Sequence, residues 1–358
     1  MSRFLLVDIG AGTMDILYYD TETGLPYKAV VESPVRTVAK RAADLTGDLV
    51  VTGVEMGGGP ITEILRNKAR EARVIMSGSA AATLHHNPKI VRDWGIEIVA
   101  DAEAEEIVRN KKCTPLTIGD LEPERLEQIV SGFGVDFAFD VVGICAQDHG
   151  TAPAGVSHLD YRHNLFRDIL DRTPCPEALL YKNTDVPPTM NRLTSLAKTA
   201  QQLPTKEIYV MDSGMAAILG ASQDAPAKGK EKILVLDIAT SHTVAAAMNG
   251  RELSGFFEYH TRDMSLPRLE RLLRDLAQGD LSHEQILKEG GHGAYIRESI
   301  GFQACEIIIA TGPKRKLMED STLPIVFGAP WGDNMMTGTV GLLEAIRRQK
   351  GLASISYL

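Results

Sequence analysis

Two apolar strands separated by a short polar turn open the chain. The stretch "FLLVDIGAGTMDILYYD" places four apolar residues before Asp-Ile-Gly-Ala-Gly-Thr and then resumes an alternating apolar pattern. Together with the next apolar segment, it predicts an antiparallel meander of strands over 3–9, 13–19 and 27–31. A turn between two strands requires one or two glycines, but it does not require flanking aspartates. The turn alone therefore leaves Asp8 and Asp15 unexplained.

After the meander, the pattern changes to strands that alternate with helices. An apolar strand runs through Gly57-Gly58-Gly59 into a predicted helix over 61–72, and Pro60 suits the first turn of that helix. Further strands are predicted over 73–76, 96–99 and 135–145, with helices near 79–86 and 122–131. Such alternation predicts a mixed sheet covered by helices. Residues 146–206, which contain many of the prolines, are expected to form loops with one or two helices.

The second half of the chain repeats the opening pattern. The polar segment 225–232 precedes "ILVLDIATSHTVAAAMNG", which again reads four apolar residues, Asp-Ile, a small residue, a polar turn and an apolar strand. Asn249-Gly250 is typical of a hairpin turn and leads into the strand "SGFFEYHT". Helices are predicted from Ser265, with an apolar stripe that belongs to the core, and from Ser282. The strands "ACEIIIATG" and "PIVFGAP" and a basic-ended helix complete the pattern.

Length favours two domains, because 358 residues exceed the size of a usual single core. The predicted division is a first lobe over 1–225 and a second lobe over 226–332, with the C-terminal helix in 333–358 packing back on the first lobe. The net charge is −9, and the basic cluster Lys314-Arg315-Lys316 is short. This composition argues against a nucleic-acid-binding protein and favours small ligands or protein partners.

The cysteines and the hydropathy pattern indicate a cytoplasmic protein without a membrane span. The cysteines lie at least 30 residues apart and contain no C-x-x-C pair, at Cys113, Cys145, Cys175 and Cys305. Free thiols in a reducing compartment are therefore expected. Nowhere in the sequence is there a stretch of the roughly 18 apolar residues that a membrane span needs.

The duplicated turn predicts a phosphate site. If both hairpins face a common cleft, each turn can offer backbone N–H groups and a hydroxyl to phosphate oxygens, since glycine allows close approach. Asp8 and Asp237 would then flank the same anion. Two carboxylates beside phosphates are explained if Mg²⁺, held mainly through water, lies between them.

These motifs resemble, in order, those of the superfamily of actin, heat-shock chaperone ATPases and sugar kinases. The first phosphate motif matches Asp8, Gly10, Gly12, Thr13 and Asp15, and the second matches Asp237, Thr240, Ser241 and Thr243. "VMDSGMAAILGAS" resembles the first interdomain helix, "IIIATGPKRKL" with Gly312 and Lys314 the adenosine motif, and "GDNMMTGTVGLLEAI" the second interdomain helix. In the last of these, Gly338 and Gly341 would allow close crossing. The resemblance implies a two-lobed α/β actin-like ATPase (ribonuclease H-like) fold, with mixed sheets led by antiparallel meanders and flanked by helices, and it implies ATP and Mg²⁺ as cofactors.

The chain departs from the superfamily pattern in two turns. Ala239 replaces a glycine in the second phosphate turn, and Thr311-Gly312 replaces two glycines in the adenosine turn. Both changes favour weaker nucleotide binding. The chain also resembles a prokaryotic family that carries the label "putative pyruvate formate-lyase-activating enzyme". That label implies a radical enzyme with a C-x-x-x-C-x-x-C run, which this sequence does not contain, so the radical activity is not expected.

Several residues allow both a structural and a functional interpretation. The resemblance implies that Asp212 helps to position the attacking group, but it also suits the N-cap of the following helix. The segment "GICAQDHGTAPAG" resembles the Gln-x-His-Gly strand end of larger sugar kinases, which would place Gln147, Asp148 and His149 near a substrate. A loop-capping Asp148 or a buried, hydrogen-bonded His149 fits equally. Gly57-Gly58-Gly59 suits a plain turn or an anion site. The spacing of His158 and His163 does not place both side chains on one helix face, so they do not suit a shared metal ion. No protein metal site is predicted beyond the nucleotide Mg²⁺.

Three functions remain open at this point. The chain is an ATPase that drives a protein partner, a kinase for a small-molecule acceptor bound near residues 143–163, or a nucleotide-binding scaffold or activator without turnover. The first two require Asp212 or Asp148 to orient a nucleophile. The departures at Ala239 and Gly312 favour the third.

Overall fold

The structure, a computed structural model, describes residues 2–153 and 155–357. The strands in these residues are β1 Arg3–Ile9, β2 Thr13–Asp20, β3 Pro26–Glu32, β4 Leu49–Gly53, β5 Val74–Ser77, β6 Ile96–Val99, β7 Thr114–Ile118, β8 Phe139–Ala146, β9 Leu180–Lys182, β10 Thr205–Asp212, β11 Lys232–Ile238, β12 His242–Asn249, β13 Glu252–His260, β14 Gly293–Ile296, β15 Ile307–Thr311 and β16 Ile325–Phe327. The α-helices are α1 Pro34–Asp44, α2 Pro60–Lys68, α3 Gly78–Ala81, α4 Pro88–Asp93, α5 Asp101–Arg109, α6 Pro123–Ser131, α7 His158–Leu170, α8 Asn191–Ala200, α9 Ser213–Ser222, α10 Leu266–Gln278, α11 His283–Lys288 and α12 Thr337–Gln349. None of these described helices is long and apolar enough to cross a bilayer.

Two six-stranded sheets share one order in five of their strands. In the first, the antiparallel meander β3-β2-β1 is continued by β8 and β10, which run parallel to β1, and β9 lies at the edge. In the second, the meander β13-β12-β11 is continued by the parallel strands β15 and β16, and β14 lies at the opposite edge. We call the parts built on these sheets the first and second lobes. The duplication confirms the predicted α/β, two-lobed actin-like fold.

The central strands of both sheets are apolar because helices or the other lobe cover both of their faces. In β1 the four residues Phe4–Val7 are fully buried, and in β11 the same holds for Ile233–Leu236. Continuous apolar runs of this kind are typical of strands covered on both faces. Each run ends at an aspartate, Asp8 or Asp237, where the strand reaches the cleft.

A third, smaller sheet corrects the sequence prediction. Strands β4 to β7 form a separate parallel sheet in the order β6-β5-β4-β7, instead of joining one mixed sheet. Helices α1 and α5 pack in this unit and were not predicted. The helix predicted near 79–86 is confined to Gly78–Ala81, and the helix predicted over 61–72 ends at Lys68.

Helices α9 and α12 cross between the two lobes, and their backbones are in contact at the crossing. A Cβ added at Gly220 would lie 1.8 Å from the carbonyl oxygen of Thr337, and one at Gly341 would lie 1.8 Å from that of Ala216. The predicted close crossing at Gly341 is therefore present, with Gly220 as its counterpart on α9. Helix α9 also packs on β11 of the second lobe, and α12 packs on β1 and β8 of the first.

The crossing predicts a specific stability effect. We expect Gly220→Ala to lower the free energy of unfolding by about 1–3 kcal/mol or more, because the added methyl group meets a backbone carbonyl that cannot rotate away. Gly78→Ala is the matched control, since its Cβ would have no atom closer than 3.8 Å and alanine favours a helix. Chemical denaturation of both variants measures the difference. Equal unfolding energies would contradict the close crossing.

Candidate functional site

A cavity of about 680 Å³ lies between the lobes, at the ends of β1 and β11. This size is within the range of about 300–1,000 Å³ that is usual for small-molecule sites. Both hairpin turns line the cavity, together with residues of the small sheet and of the starts of α9 and α12. From the sequence-predicted site the lining includes Asp8, Gly10, Gly12, Thr13, Asp15, Asp148, Asp237, Thr240, Ser241 and Gly312.

The two hairpin turns have the same hydrogen-bond pattern. In the first, Gly10 N donates to Thr13 O at 3.0 Å, and in the second, Ala239 N donates to His242 O at 3.0 Å. Gly10 does not have a positive φ. Alanine therefore fits the same turn without strain, and Ala239 does not disrupt the second phosphate turn.

Each turn is also fixed from outside by one hydroxyl residue. Ser33 donates from N to Gly12 O at 3.1 Å and from Oγ to Gly10 O at 2.5 Å. Thr261 does the same in the second lobe, from N to Ser241 O at 2.8 Å and from Oγ1 to Ala239 O at 2.8 Å. The sequence analysis missed both residues, although Ser33 precedes Pro34 as a typical helix N-cap.

The turns face each other across the cleft at short range. A Cβ at Gly12 would lie 2.8 Å from Thr240 Oγ1. Glycine at this position therefore leaves room for the side chain of Thr240 as it is placed. The duplicated loops thus form opposite walls of one site.

Three aspartates converge at this point, and their pKa values are raised. Burial, with smaller effects from Asp237 and Asp212, raises the pKa of Asp8 to about 7 against the lowering effect of Cys145. Burial and the nearby Asp8 raise the pKa of Asp15 to about 8. Burial raises the pKa of Asp237 to about 6, although Thr311 Oγ1 donates to it at 2.9 Å. No described residue forms a hydrogen bond with Asp15 Oδ1.

Two glycines let the backbone approach these carboxylates. A Cβ at Gly338, at the start of α12, would lie 2.0 Å from Asp8 Oδ2. A Cβ at Gly312 would lie 2.5 Å from Ile238 O and 2.9 Å from Asp237 Oδ1, and its φ of +87° also favours glycine. Carboxylates that are crowded, partly unpartnered and raised in pKa fit a divalent cation, which would favour their charged form.

Asp212 is the N-cap of α9 and one member of a buried ion triad. Its Oδ1 accepts from Gly214 N at 3.0 Å and Met215 N at 3.3 Å, and its Oδ2 accepts from Arg162 Nη2 at 2.9 Å. Arg162 Nη1 also donates to Glu258 Oε2 of the second lobe at 2.6 Å. Burial raises the pKa of Glu258, but Arg162 and His292 hold it well below its usual range. The Asp212–Arg162–Glu258 triad therefore joins the two lobes.

Asp148 caps a loop, as the structural interpretation predicted. Its Oδ1 accepts from Gly150 N at 2.8 Å and its Oδ2 accepts from Leu193 N at 2.9 Å. Arg162 Nε donates to its carbonyl oxygen at 3.0 Å. Each carboxylate oxygen thus accepts a backbone N–H, and the side chain is buried, so Asp148 already has a structural role in this loop.

Besides Asp212, two further predicted residues lie outside the cavity lining. Thr243 is fully buried and shares a hydrogen bond with Thr261 Oγ1 at 3.0 Å, because it alternates to the inner face of β12. Lys314 is exposed beyond the Gly312 turn, and its backbone N donates to Ile238 O at 2.9 Å. Neither side chain is placed to contact a ligand in this cavity.

The glycine run before α2 binds an internal carboxylate. Gly57 N lies 3.1 Å from both carboxylate oxygens of Asp120, and Arg192 Nε donates to Asp120 at 2.7 Å. Asp120 thus occupies the position where an external anion would contact Gly57. The run still lines the cavity wall.

The sequence analysis missed a group of histidines on the second-lobe wall, formed by His242, His260 and His292, which lies against His149 of the first lobe. His149, His242 and His260 line the cavity, and His292 lies against them, with ring centroids of His242, His260 and His292 between 4.4 and 4.9 Å apart. Burial lowers the pKa of His149 to about 3 and that of His242 to about 4. These imidazoles are therefore neutral at pH 7.

The carboxylate cluster predicts how stability depends on pH. Because the folded pKa of Asp15 is about 8, up from 3.8, the folded state binds an extra proton between about pH 4 and 8 and loses stability as pH rises through that window. We expect Asp15→Asn to raise Tm at pH 8 and to change it little at pH 5, an effect on the order of a few kcal/mol. Thermal unfolding in chelator-containing buffer measures it, with exposed Asp44→Asn as the control. A variant that unfolds like the wild type at both pH values would contradict the raised pKa.

No protein of curated function matches the chain in sequence. Similar solved structures include an inorganic polyphosphate/ATP-glucomannokinase from Arthrobacter sp. strain KM, with 14% identity, 97% of this chain and 100% of that chain covered, and a TM-score of 0.38. MreB5 of Spiroplasma citri bound to ADP has 10% identity, coverage of 98% and 97%, and a TM-score of 0.34.

The activator of the 2-hydroxyisocaproyl-CoA dehydratase from Clostridium difficile with bound ADPNP has 9% identity, 99% coverage of both chains and a TM-score of 0.33. At such scores, these likenesses carry no conclusion about activity. Residues 56–317 match the family described as "Putative pyruvate format-lyase activating enzyme (DUF1786)". Because the match spans more than half of the chain, the protein belongs to this family.

Proposed function

We propose that the chain binds Mg-ATP in the cleft between its lobes and transfers or hydrolyses the terminal phosphate. The observation that carries the proposal is the pair of turns with one hydrogen-bond pattern, each following an aspartate and each facing the other. Such turns bring backbone N–H groups and hydroxyls to an anion from two sides.

Each part of the site has a role in this proposal. Residues 10–13 and 239–241 hold the phosphates, and Asp8 and Asp237 hold Mg²⁺ through its water ligands. Asp15 adds negative charge behind the ion, and the turn at Gly312 borders the adenosine. Bound Mg²⁺ would neutralise part of the negative charge of the phosphates. The neighbouring lobes would exclude bulk water from the reacting groups.

A second candidate, nucleotide binding without turnover, is favoured by one observation. Asp212 and Asp148, the two carboxylates predicted to orient a nucleophile, are both buried and cap backbone N–H groups, and Asp212 also pairs with Arg162. Both carboxylates therefore already have structural roles. A protein of this kind would act as a nucleotide-responsive scaffold or activator of a partner.

The radical activity in the family description is not part of this proposal. The sequence lacks the C-x-x-x-C-x-x-C run that such an enzyme uses. Its four cysteines are free, and Cys145 is buried in β8, where Asp8 is its neighbour.

The binding site is tested by two isosteric substitutions. We expect Asp8→Asn and Asp237→Asn to abolish the rise in Tm that Mg-ATP gives the wild type, because each removes a charge that holds Mg²⁺. Ligand at 100 times Kd contributes about 2.7 kcal/mol, which a thermal-shift assay resolves. Exposed Asp263→Asn in the second lobe is the matched control. An unchanged Mg-ATP response in both variants would overturn the proposed site.

Phosphate release separates the two candidate functions. The wild type is incubated with Mg-ATP alone and with sugars, carboxylic acids or other acceptors, and free phosphate and ADP are measured. Turnover that disappears in Asp237→Asn supports phosphotransfer or hydrolysis. A full thermal shift with no ADP formed under any of these conditions supports the binding-only candidate.

A further inference from the structure

The second lobe brings three histidines from distant parts of the sequence to one point beside the cleft. His242 begins β12 and His260 ends β13, and the two are directly opposite each other in the antiparallel register. His292 precedes β14, and its backbone N donates to Glu258 O at 2.8 Å. The ends of three adjacent strands therefore present three imidazoles to one another.

The distances between these imidazoles fit a shared metal ion. Nε2 of His292 and Nε2 of His260 are 3.1 Å apart, and the ligand atoms of all three residues lie within 4.8 Å of one another. Two nitrogens bound to one tetrahedral ion at about 2.0–2.1 Å would be roughly 3.3–3.4 Å apart. The ring planes are tilted or perpendicular rather than stacked, so their nitrogens can converge.

The outer nitrogen of one ring has a hydrogen-bond partner, and that of a second ring lies near a carboxylate. Ser241 Oγ lies 2.8 Å from His242 Nδ1. Glu258 Oε1 lies 3.3 Å from His292 Nδ1, which forms no hydrogen bond with a described residue. Carboxylate or hydroxyl partners on the far nitrogen are usual for metal-binding histidines, because they fix the tautomer and the ring orientation. The Nε2 atoms of His260 and His292 face each other, and the Ser241 contact on Nδ1 leaves Nε2 of His242 as its free nitrogen.

A simple hydrogen-bonded histidine pair does not account for the third ring. His260 and His292 can satisfy each other, but no described residue forms a hydrogen bond with the buried His242 Nε2. Leaving a buried polar atom unpaired is costly, and a metal ion would remove that cost. Neutral imidazole is also the form that binds metal.

We propose that His242, His260 and His292 bind a divalent transition metal ion of the zinc class, separate from the carboxylate site for Mg²⁺. Three histidines leave a fourth position of a tetrahedral ion open. His242 and His260 line the cavity, and so does His149 of the first lobe, whose ring centroid is 5.7 Å from that of His292 and whose Nδ1 is buried with no partner among the described residues. The open position is available to water or to an oxygen or nitrogen of a ligand in the cleft.

The test uses the full-length protein purified without a polyhistidine tag and stripped with a chelator. Zn²⁺ is titrated by calorimetry, bound metal is counted by mass spectrometry, and Co²⁺ serves as the spectroscopic probe. We expect one Zn²⁺ per chain and a visible Co²⁺ spectrum typical of tetrahedral nitrogen coordination. A chain that binds less than half an equivalent of Zn²⁺, or a Co²⁺ spectrum typical of octahedral water and carboxylate ligands, would refute the site.

Matched variants separate the triad from other metal-binding groups. His260→Gln and His292→Gln should each weaken Zn²⁺ binding by at least the 10–100-fold that loss of an outer partner costs, because each removes a ligand. His163→Gln is the control, since His163 also stacks on a histidine, His283, at 3.5 Å between centroids but lies outside the triad. Equal Zn²⁺ affinity in the triad variants and the control would overturn the proposal. Circular dichroism of each metal-free variant verifies that it is folded.

The variant Asp237→Asn tests the zinc site separately from the proposed nucleotide site. It should remove the Mg-ATP response while leaving the Zn²⁺ stoichiometry at one. If Asp237→Asn lost the bound Zn²⁺ and His260→Gln retained it, the metal would belong to the carboxylates and the histidine site would be refuted. If the Zn²⁺ results held and no Mg-ATP response existed in the wild type, only the nucleotide proposal would fail.

Discussion

The structure depends on the backbone contact between α9 and α12. Gly220 of α9 lies against a backbone carbonyl of α12, and Gly341 of α12 lies against one of α9. A side chain at either position would force the two helices apart. Both helices begin at the cleft: α9 follows Asp212, and Gly338 in the first turn of α12 lies against Asp8. The helices that form the crossing therefore also contact carboxylates of the cleft. A rigid crossing of this kind positions two lobes more accurately than a flexible linker does.

The duplicated turns could be predicted from the sequence because their determinants are local. Four apolar residues, an aspartate and a small-residue turn specify a strand that ends at a cleft, and the repeat of that pattern specifies the second wall. The substitution of Ala239 for glycine looked unfavourable by comparison with the superfamily. Its cost depends on the backbone dihedral, which the sequence does not give, and the equivalent Gly10 does not adopt the left-handed conformation. By contrast, Gly312 does adopt it, and there glycine is retained.

Features that arise from long-range register could not be predicted in the same way. Strands β4 to β7 read as ordinary strands, and nothing in their local pattern tells whether they join a central sheet or form their own. The histidines are separated by 18 and 32 residues, and only the pairing of β12 with β13 and β14 brings them together. Asp148 and Asp212 illustrate a third case. Their capping roles were foreseen, but their link through Arg162 requires the position of α7.

The Asp212–Arg162–Glu258 triad determines how the lobes can separate. Arg162 and Asp212 both belong to the first lobe, so when the second lobe moves away with Glu258, the arginine keeps a carboxylate partner and no isolated charge is stranded in an apolar interior. Glu258 lines the cleft and would be rehydrated there. Separation of the lobes would therefore leave no unpaired charge buried in the first lobe, which is the state that makes breaking a simple buried ion pair costly.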